Sequence, residues 1–245
     1  MKKQRESFKS QWGFILACIG SSVGMGNIWM FSTRVSSYGG GSFLIPYFIF
    51  VALVGFTGVI GEMSFGRATR SGPVDAFGIA CERKGKRKYG EALGMIPVLG
   101  AIAMAIGYTV VMGWILKYAV GTFTGKTLAP KGVEEFSGAF GSMASAFGNN
   151  GWQIAALILC MGILMLGVVS GIEKANKFMM PLFFGLFVIL AVYVAFQPGA
   201  AEGYKYIFRI DPKALADPVT WIFALGQAFF SLSVAGNGTL IYGSY

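Results

Sequence analysis

Apolar residues dominate this chain in six long runs, separated by short stretches that hold nearly all of its charge. The runs lie near 12–37, 42–69, 89–124, 151–170, 174–196 and 218–243. Each has about the length a bilayer-spanning helix needs. The first is interrupted by Gly20-Ser21-Ser22-Val23-Gly24-Met25-Gly26-Asn27, and the sixth by Ser231-Leu232-Ser233-Val234-Ala235-Gly236-Asn237-Gly238. Glycine, serine and asparagine weaken a helix where lipid offers the backbone no other partner. Two such interruptions in corresponding runs predict broken helices that present backbone groups to a ligand near mid-membrane. The expected class is therefore an all-α integral membrane protein: six transmembrane helices, with helices 1 and 6 broken. Residues 1–245 would form one membrane domain, with 12–196 a first five-helix repeat, 198–216 an outer loop, and 218–243 the start of an inverted repeat.

Composition agrees: 55% of residues are hydrophobic and 13% charged, about half the charge of a soluble domain. The net charge of +9 does not point to nucleic acid, because the basic residues cluster between the apolar runs. Thirteen Lys and Arg fall in segments predicted inside and seven in segments predicted outside. This bias orients the chain as a multi-pass cell-membrane protein with residues 1–11 and the C-terminus cytoplasmic. There is no histidine, and Cys18, Cys81 and Cys160 form no ligand or redox motif. No nucleophile–base pair or cofactor fingerprint is present, so the chain does not read as an enzyme. Gly39-Gly40-Gly41 lacks the Lys-Ser/Thr of a phosphate loop and reads as a tight turn. Glu62 and Arg67 read as structural polar groups at a helix end. Glu173, Lys174 and Lys177 read as a short inner connection between the fourth and fifth spans.

The chemistry of the two breaks follows from half-helix ends. The positive N-terminal end can hold a carboxylate, and the free carbonyls of a C-terminal end can hold a cation. Backbone carbonyls, the Asn27 amide oxygen and the Ser231 hydroxyl suit sodium, and carbonyls near Phe230 and Ser231 suit an ammonium group. Met104 and Tyr108 are four apart on one face of the third span. Tyr108 is too central for an interfacial belt, so its hydroxyl needs an internal partner, for which a substrate carboxylate is one candidate.

These segments resemble the neurotransmitter:sodium symporter family, particularly its bacterial amino-acid transporters. The resemblance runs through Gly13–Leu16, Gly20–Trp29, Tyr38–Gly41, Ile45–Tyr47, Glu62–Arg67, Tyr108, Gly171–Pro181 and Gly226–Ser233. It implies one sodium ion held by the Ser22 carbonyl, Asn27 and Ser231, and a second held by the carbonyls of Gly20 and Val23. The substrate carboxylate would meet Tyr108 and the amides of Met25 and Gly26. The amine would meet carbonyls of Ser22, Phe230 and Ser231, with Ser233 nearby, and Met104 would line the side-chain subsite. Phe230 would close the pocket from outside and Arg5 would serve the inner gate. Gly171 and Pro181 match the family's motif for unwinding the fifth helix.

The chain also departs from that pattern. Met30 stands where an outer-gate arginine is usual, Ser32 where proline is usual, and Phe8 where a gating tryptophan is common. Gly236 replaces a pocket aromatic, which enlarges the side-chain subsite and favours a bulky or aromatic amino acid. The family has eleven or twelve helices and six are expected here. The expectation is an N-terminal part whose second half is absent, as a fragment, a truncated reading frame or one half of a split protein. Sodium-coupled amino-acid symport by alternating access is the implied function; the alternative is a truncated non-transporting subunit or regulator of a full-length homologue. The implied partners are an amino acid, the bilayer, and either a second copy of the chain or the missing half.

Overall fold

The computed structural model describes residues 7–245, and its regular structure is helical throughout. In order, α1 is Gln11–Ser22, α2 Phe31–Ser37, α3 Gly41–Val54, α4 Ile60–Thr69, α5 Pro73–Glu82, α6 Arg87–Phe123 and α7 Val133–Ala144. They are followed by α8 Asn150–Met165, α9 Lys174–Ala195, α10 Ala200–Phe208, α11 Pro212–Ala216, α12 Pro218–Ser231 and α13 Gly238–Ser244. Wide π-helical turns at Gly26–Met30, Gly55–Val59 and Val168–Glu173 lead into α2, α4 and α9.

Three continuous helical rods are long and apolar enough to cross a bilayer: Gly41–Thr69, Arg87–Phe123 and Val168–Ala195. The first apolar run is instead a bent pair, α1 followed by Gly26–Ser37 at 58°. The fourth run is the 16-residue α8, and the sixth is divided between α12, with 14 residues, and α13, with 7.

The fold differs from the sequence reading between the fourth and fifth runs. The turn falls at Leu166-Gly167, where Gly167 takes φ +79°, and the next rod starts at Val168. Glu173, Lys174 and Lys177 therefore lie within a helix. Glu173 is 2% exposed and fully engaged: it accepts from the Lys9 N–H (2.9 Å), Ser10 Oγ (3.1 Å) and Lys177 Nζ (2.6 Å). Those bonds tie the N-terminal end of α1 to α9. Charge marked a loop in the sequence, but a satisfied carboxylate can be buried inside a rod.

Two compact units divide the chain: residues through Val98 together with Val168–Tyr245, and Leu99–Gly167. In the first, α12 packs on α3 around Val35, Phe43 and Ala224, ringed by Phe31, Tyr38, Tyr47 and Phe223. The turn into α3 needs its glycines. Gly39 and Gly40 have φ +84° and +58°, and a side chain on Gly40 or Gly41 would strike the carbonyl of Tyr206 or Arg209. Ser42 locks that approach by donating to the Asp211 carbonyl (3.1 Å) and accepting from its N–H (2.7 Å). On the other side, α13 lies directly on α4: a Cβ on Gly66 would meet the Leu240 carbonyl, and one on Gly243 the Met63 carbonyl. In the second unit, Gly113 of α6 seats the backbone of Gln153, whose amide donates to Thr109 Oγ1 (3.0 Å), and Trp114 stands edge-on to Phe140.

Candidate functional site

The first break lies between the end of α1 at Ser22 and the wide turn beginning at Gly26. Val23 turns extended (φ −88°, ψ 95°) while its N–H still bonds the Ile19 carbonyl at 2.8 Å. The Asn27 N–H returns to the Gly24 carbonyl (2.9 Å), and its side-chain Nδ2 donates to the Ser22 carbonyl (2.5 Å). One asparagine thus spans its own break.

The second break covers residues 232–237. Ser233, Ala235 and Asn237 all have left-handed backbone, with φ +53°, +63° and +66°. Asparagine tolerates that region; for alanine it costs about 1–2 kcal/mol. Glu62 of α4 compensates from outside. Its Oε1 accepts from the Ala235 N–H (2.8 Å) and its Oε2 from the Thr239 hydroxyl. Asn237 Nδ2 donates to the Pro97 carbonyl (2.8 Å).

The two breaks meet. Ser231 Oγ donates to Asn27 Oδ1 (2.9 Å), and Ser233 Oγ donates to the Ser21 carbonyl (2.9 Å). Gln227, 3% exposed on α12, reaches the same group. Its Nε2 lies 3.3 Å from Ser231 Oγ and 3.5 Å from both Asn27 Oδ1 and the Gly26 carbonyl, while its Oε1 is buried without a hydrogen-bond partner among the described residues. The Ser22 carbonyl, Asn27 Oδ1 and Ser231 Oγ therefore form one connected set of neutral oxygens. Hard oxygen donors of this kind suit sodium or another hard cation, not a soft metal. Among the described residues no group of three or more His, Cys, Asp and Glu could hold a metal.

Of the other residues singled out in the sequence, Gly20 occupies the last turn of α1 against Asn176 Oδ1, with Val23 just beyond. Met25 and Gly26 open the second half of the bent pair, where N–H groups of the new helix are first exposed. The Phe230 ring lies directly against Gly26, where a Cβ would collide with it. The Phe230 carbonyl already accepts from the Ser233 N–H (3.1 Å). A side chain at Gly236 would meet only the Ser233 carbonyl, at 3.6 Å, so space is open there. Met104 and Tyr108 lie on the part of α6 belonging to the second unit. Gly171 is buried in the wide turn before α9, and α9 runs unbroken through Pro181. Arg5 lies outside the described residues.

Three features escaped the sequence reading. Gln227 falls inside the Gly226–Ser233 segment, where nothing in the sequence distinguishes it. Glu62 was read as a helix-end group, yet it holds the second break. Arg34, one turn beyond Met30, places its guanidinium 3.7 Å from the centre of the Phe223 ring. At the other end, Phe8 packs among Phe14, Tyr242 and Tyr245 with ring centres 5.5–6.0 Å apart. An apolar cavity of about 250 Å³ opens beside the breaks, lined by Cys18, Ser22, Val59, Leu232 and Tyr242 among others.

Comparison with known proteins places this geometry. The Sodium:neurotransmitter symporter family profile matches residues 5–136 and 130–245. An uncharacterized sodium-dependent transporter of Methanocaldococcus jannaschii is 34% identical over 99% of this chain and 49% of its own length. The mouse sodium-dependent neutral amino acid transporter B(0)AT3 is 28% identical over all of this chain and 43% of its own. The crystal structure of MhsT in complex with L-phenylalanine superposes with TM-score 0.87 at 37% identity, covering 99% of this chain and 54% of that one. The chain thus spans about half the length of the curated relatives it matches. Its fold is that of MhsT, its relatives are membrane transporters and not enzymes, and the chain belongs to the sodium:neurotransmitter symporter family.

Proposed function

We propose that this chain forms the broken-helix part of a sodium-coupled amino-acid symporter working by alternating access. The observation that carries this reading is the convergence of the Ser22 carbonyl, Asn27 Oδ1 and Ser231 Oγ across two helix breaks. In this reading the six apolar runs are six spans, with both termini cytoplasmic. Sodium displaces the mutual hydrogen bonds of Asn27 and Ser231 and takes their oxygens as ligands. A second sodium uses the carbonyls of Gly20 and Val23.

The amino acid binds beside the first ion. Its carboxylate takes the amides of Met25 and Gly26, and its amine takes carbonyls of Ser22, Phe230 and Ser231, with Ser233 nearby. Open space at Gly236 supports a bulky or aromatic side chain, and the Phe230 ring covers it. MhsT, which binds L-phenylalanine, supports the same class of substrate. Opening to the inside requires α1 to leave α9, which breaks the Glu173 contacts to Lys9 and Ser10. Arg5, Gly171 and Pro181 belong to that inner gate.

The test is equilibrium binding of radiolabelled L-phenylalanine to the purified protein in sodium and in potassium. Binding in sodium that disappears in potassium is the expected result. Equal binding in the two salts overturns the reading.

A further inference from the structure

The connection between α4 and α6 carries a charge distribution that the site does not use. Three carboxylates occur between residues 63 and 123, namely Asp75, Glu82 and Glu91, and all three pair with Arg87. Arg87 Nη2 lies 3.1 Å from Asp75, Nη1 3.2 Å from Glu82, and Nε 2.8 Å from Glu91. These bonds hold the Arg87 guanidinium in place between α5 and α6. The acidic groups are thereby gathered on one cation. Arg67, Arg70, Arg83, Lys84, Lys86 and Lys88 are all exposed and make no ion pair among the described residues.

The segment is also built to stay put. A Cβ on Gly90 would meet the Phe77 carbonyl, and one on Gly94 would meet the backbone of Pro73 and Val74, so α5 lies directly against the first turns of α6. Phe77 stands edge-on to Phe65 of α4, with ring centres 5.2 Å apart. Immediately beyond the cations, Tyr89, Leu93 and Ile96 are exposed along one face of α6, the start of an apolar rod that crosses the bilayer. An exposed aromatic at such a boundary marks headgroup height.

We propose that this α5 platform binds the headgroups of acidic phospholipids. Charge complementarity selects the occupant: six cations with no ion pair among the described residues sit at headgroup level, and the local anionic competitors are consumed by Arg87. Arg87 is a positioning residue here; its loss would release three carboxylates among the cations. The inference depends on α6 spanning the membrane and does not depend on transport or on the sodium site.

The test is native mass spectrometry of the chain released from mixed micelles of phosphatidylglycerol and phosphatidylcholine, comparing wild type, a quadruple Arg83→Gln, Lys84→Gln, Lys86→Gln, Lys88→Gln variant, and Arg87→Gln. Each cation near a charged membrane surface is worth roughly a fivefold change in binding. Wild type is expected to retain phosphatidylglycerol preferentially. The quadruple variant should lose that preference by roughly tenfold or more, in the same surface-charge arithmetic. Arg87→Gln should lose more than Lys86→Gln alone. All three variants change exposed side chains, and an unchanged circular dichroism spectrum establishes that they fold. Equal retention of the two lipids by wild type, or an unchanged preference in the quadruple variant, overturns the proposal. So does wild type that ignores phosphatidylglycerol but captures a poly-aspartate peptide, which would assign the platform to an acidic protein.

Discussion

The two helix breaks face each other across Asn27 and Ser231, yet they are held by different means. The first spans three residues and is closed by its own sequence: Asn27 bonds back to Ser22 and Gly24. The second spans six residues and places three non-glycine residues in left-handed backbone. Its own backbone closes the start, where the Ser233 and Val234 N–H groups return to the Phe230 and Phe229 carbonyls, but its far end is held by Glu62, which reaches in from α4 to Ala235 and Thr239. One break is therefore a local property of the chain, and the other is a tertiary one. The set of oxygens shared between them inherits both dependences.

The largest expected effect tests that difference. Glu62→Ala removes two hydrogen bonds to a charged acceptor, a loss of about 3 kcal/mol. It should lower the denaturation midpoint of the purified chain in detergent by several degrees. A loss under about 1 kcal/mol, no more than one neutral hydrogen bond, would put the second break on the same footing as the first.

Asn27→Ala should act the other way, sparing most of the fold and removing the response to sodium. A hundredfold excess of sodium over its dissociation constant stabilises a competent site by about 2.7 kcal/mol. The thermal shift between sodium and potassium should vanish in this variant, and an undiminished shift would detach Asn27 from the ion.

Gly26→Ala drives a methyl group into the Phe230 ring and should cost about 2 kcal/mol by overpacking. It should also weaken L-phenylalanine binding, because Phe230 must move. If stability and binding are both unchanged, the ring is not seated as described. Ala235→Gly should stabilise the chain by about 1 kcal/mol by relieving left-handed strain, and a loss instead would mean the strain is absent. Arg34→Met should cost only about 0.5 kcal/mol, the value of an accessible cation–π contact. A much larger drop in stability would give Arg34 a partner beyond Phe223 and Tyr38.

The first break could be read in the sequence because its cause is local: three glycines and an asparagine weaken the helix, and the asparagine supplies the bond that closes it. The Gly39-Gly40-Gly41 turn was legible for the same reason. The second break was located by its serines and glycines, but its support was not visible, because Glu62 lies 173 residues before Ala235. Left-handed Ala235 left no mark in the sequence at all. Gln227 was hidden by its surroundings, since a buried amide and an exposed one are written the same way. Glu173 misled in the opposite sense. Its charge signalled solvent, whereas three donors bury it, and the boundary between the fourth and fifth apolar runs moved accordingly.

The contact between α4 and α13 has a mechanical consequence. At Gly66 and Gly243 the two backbones touch with no side chain between them. A layer of leucines can absorb a small displacement by changing rotamer; bare backbone cannot. With Glu62 also fastened across the adjoining break, a push on α13 reaches α4 without slack. The pair is a stiff strut, and an inward swing of one has to be an inward swing of both.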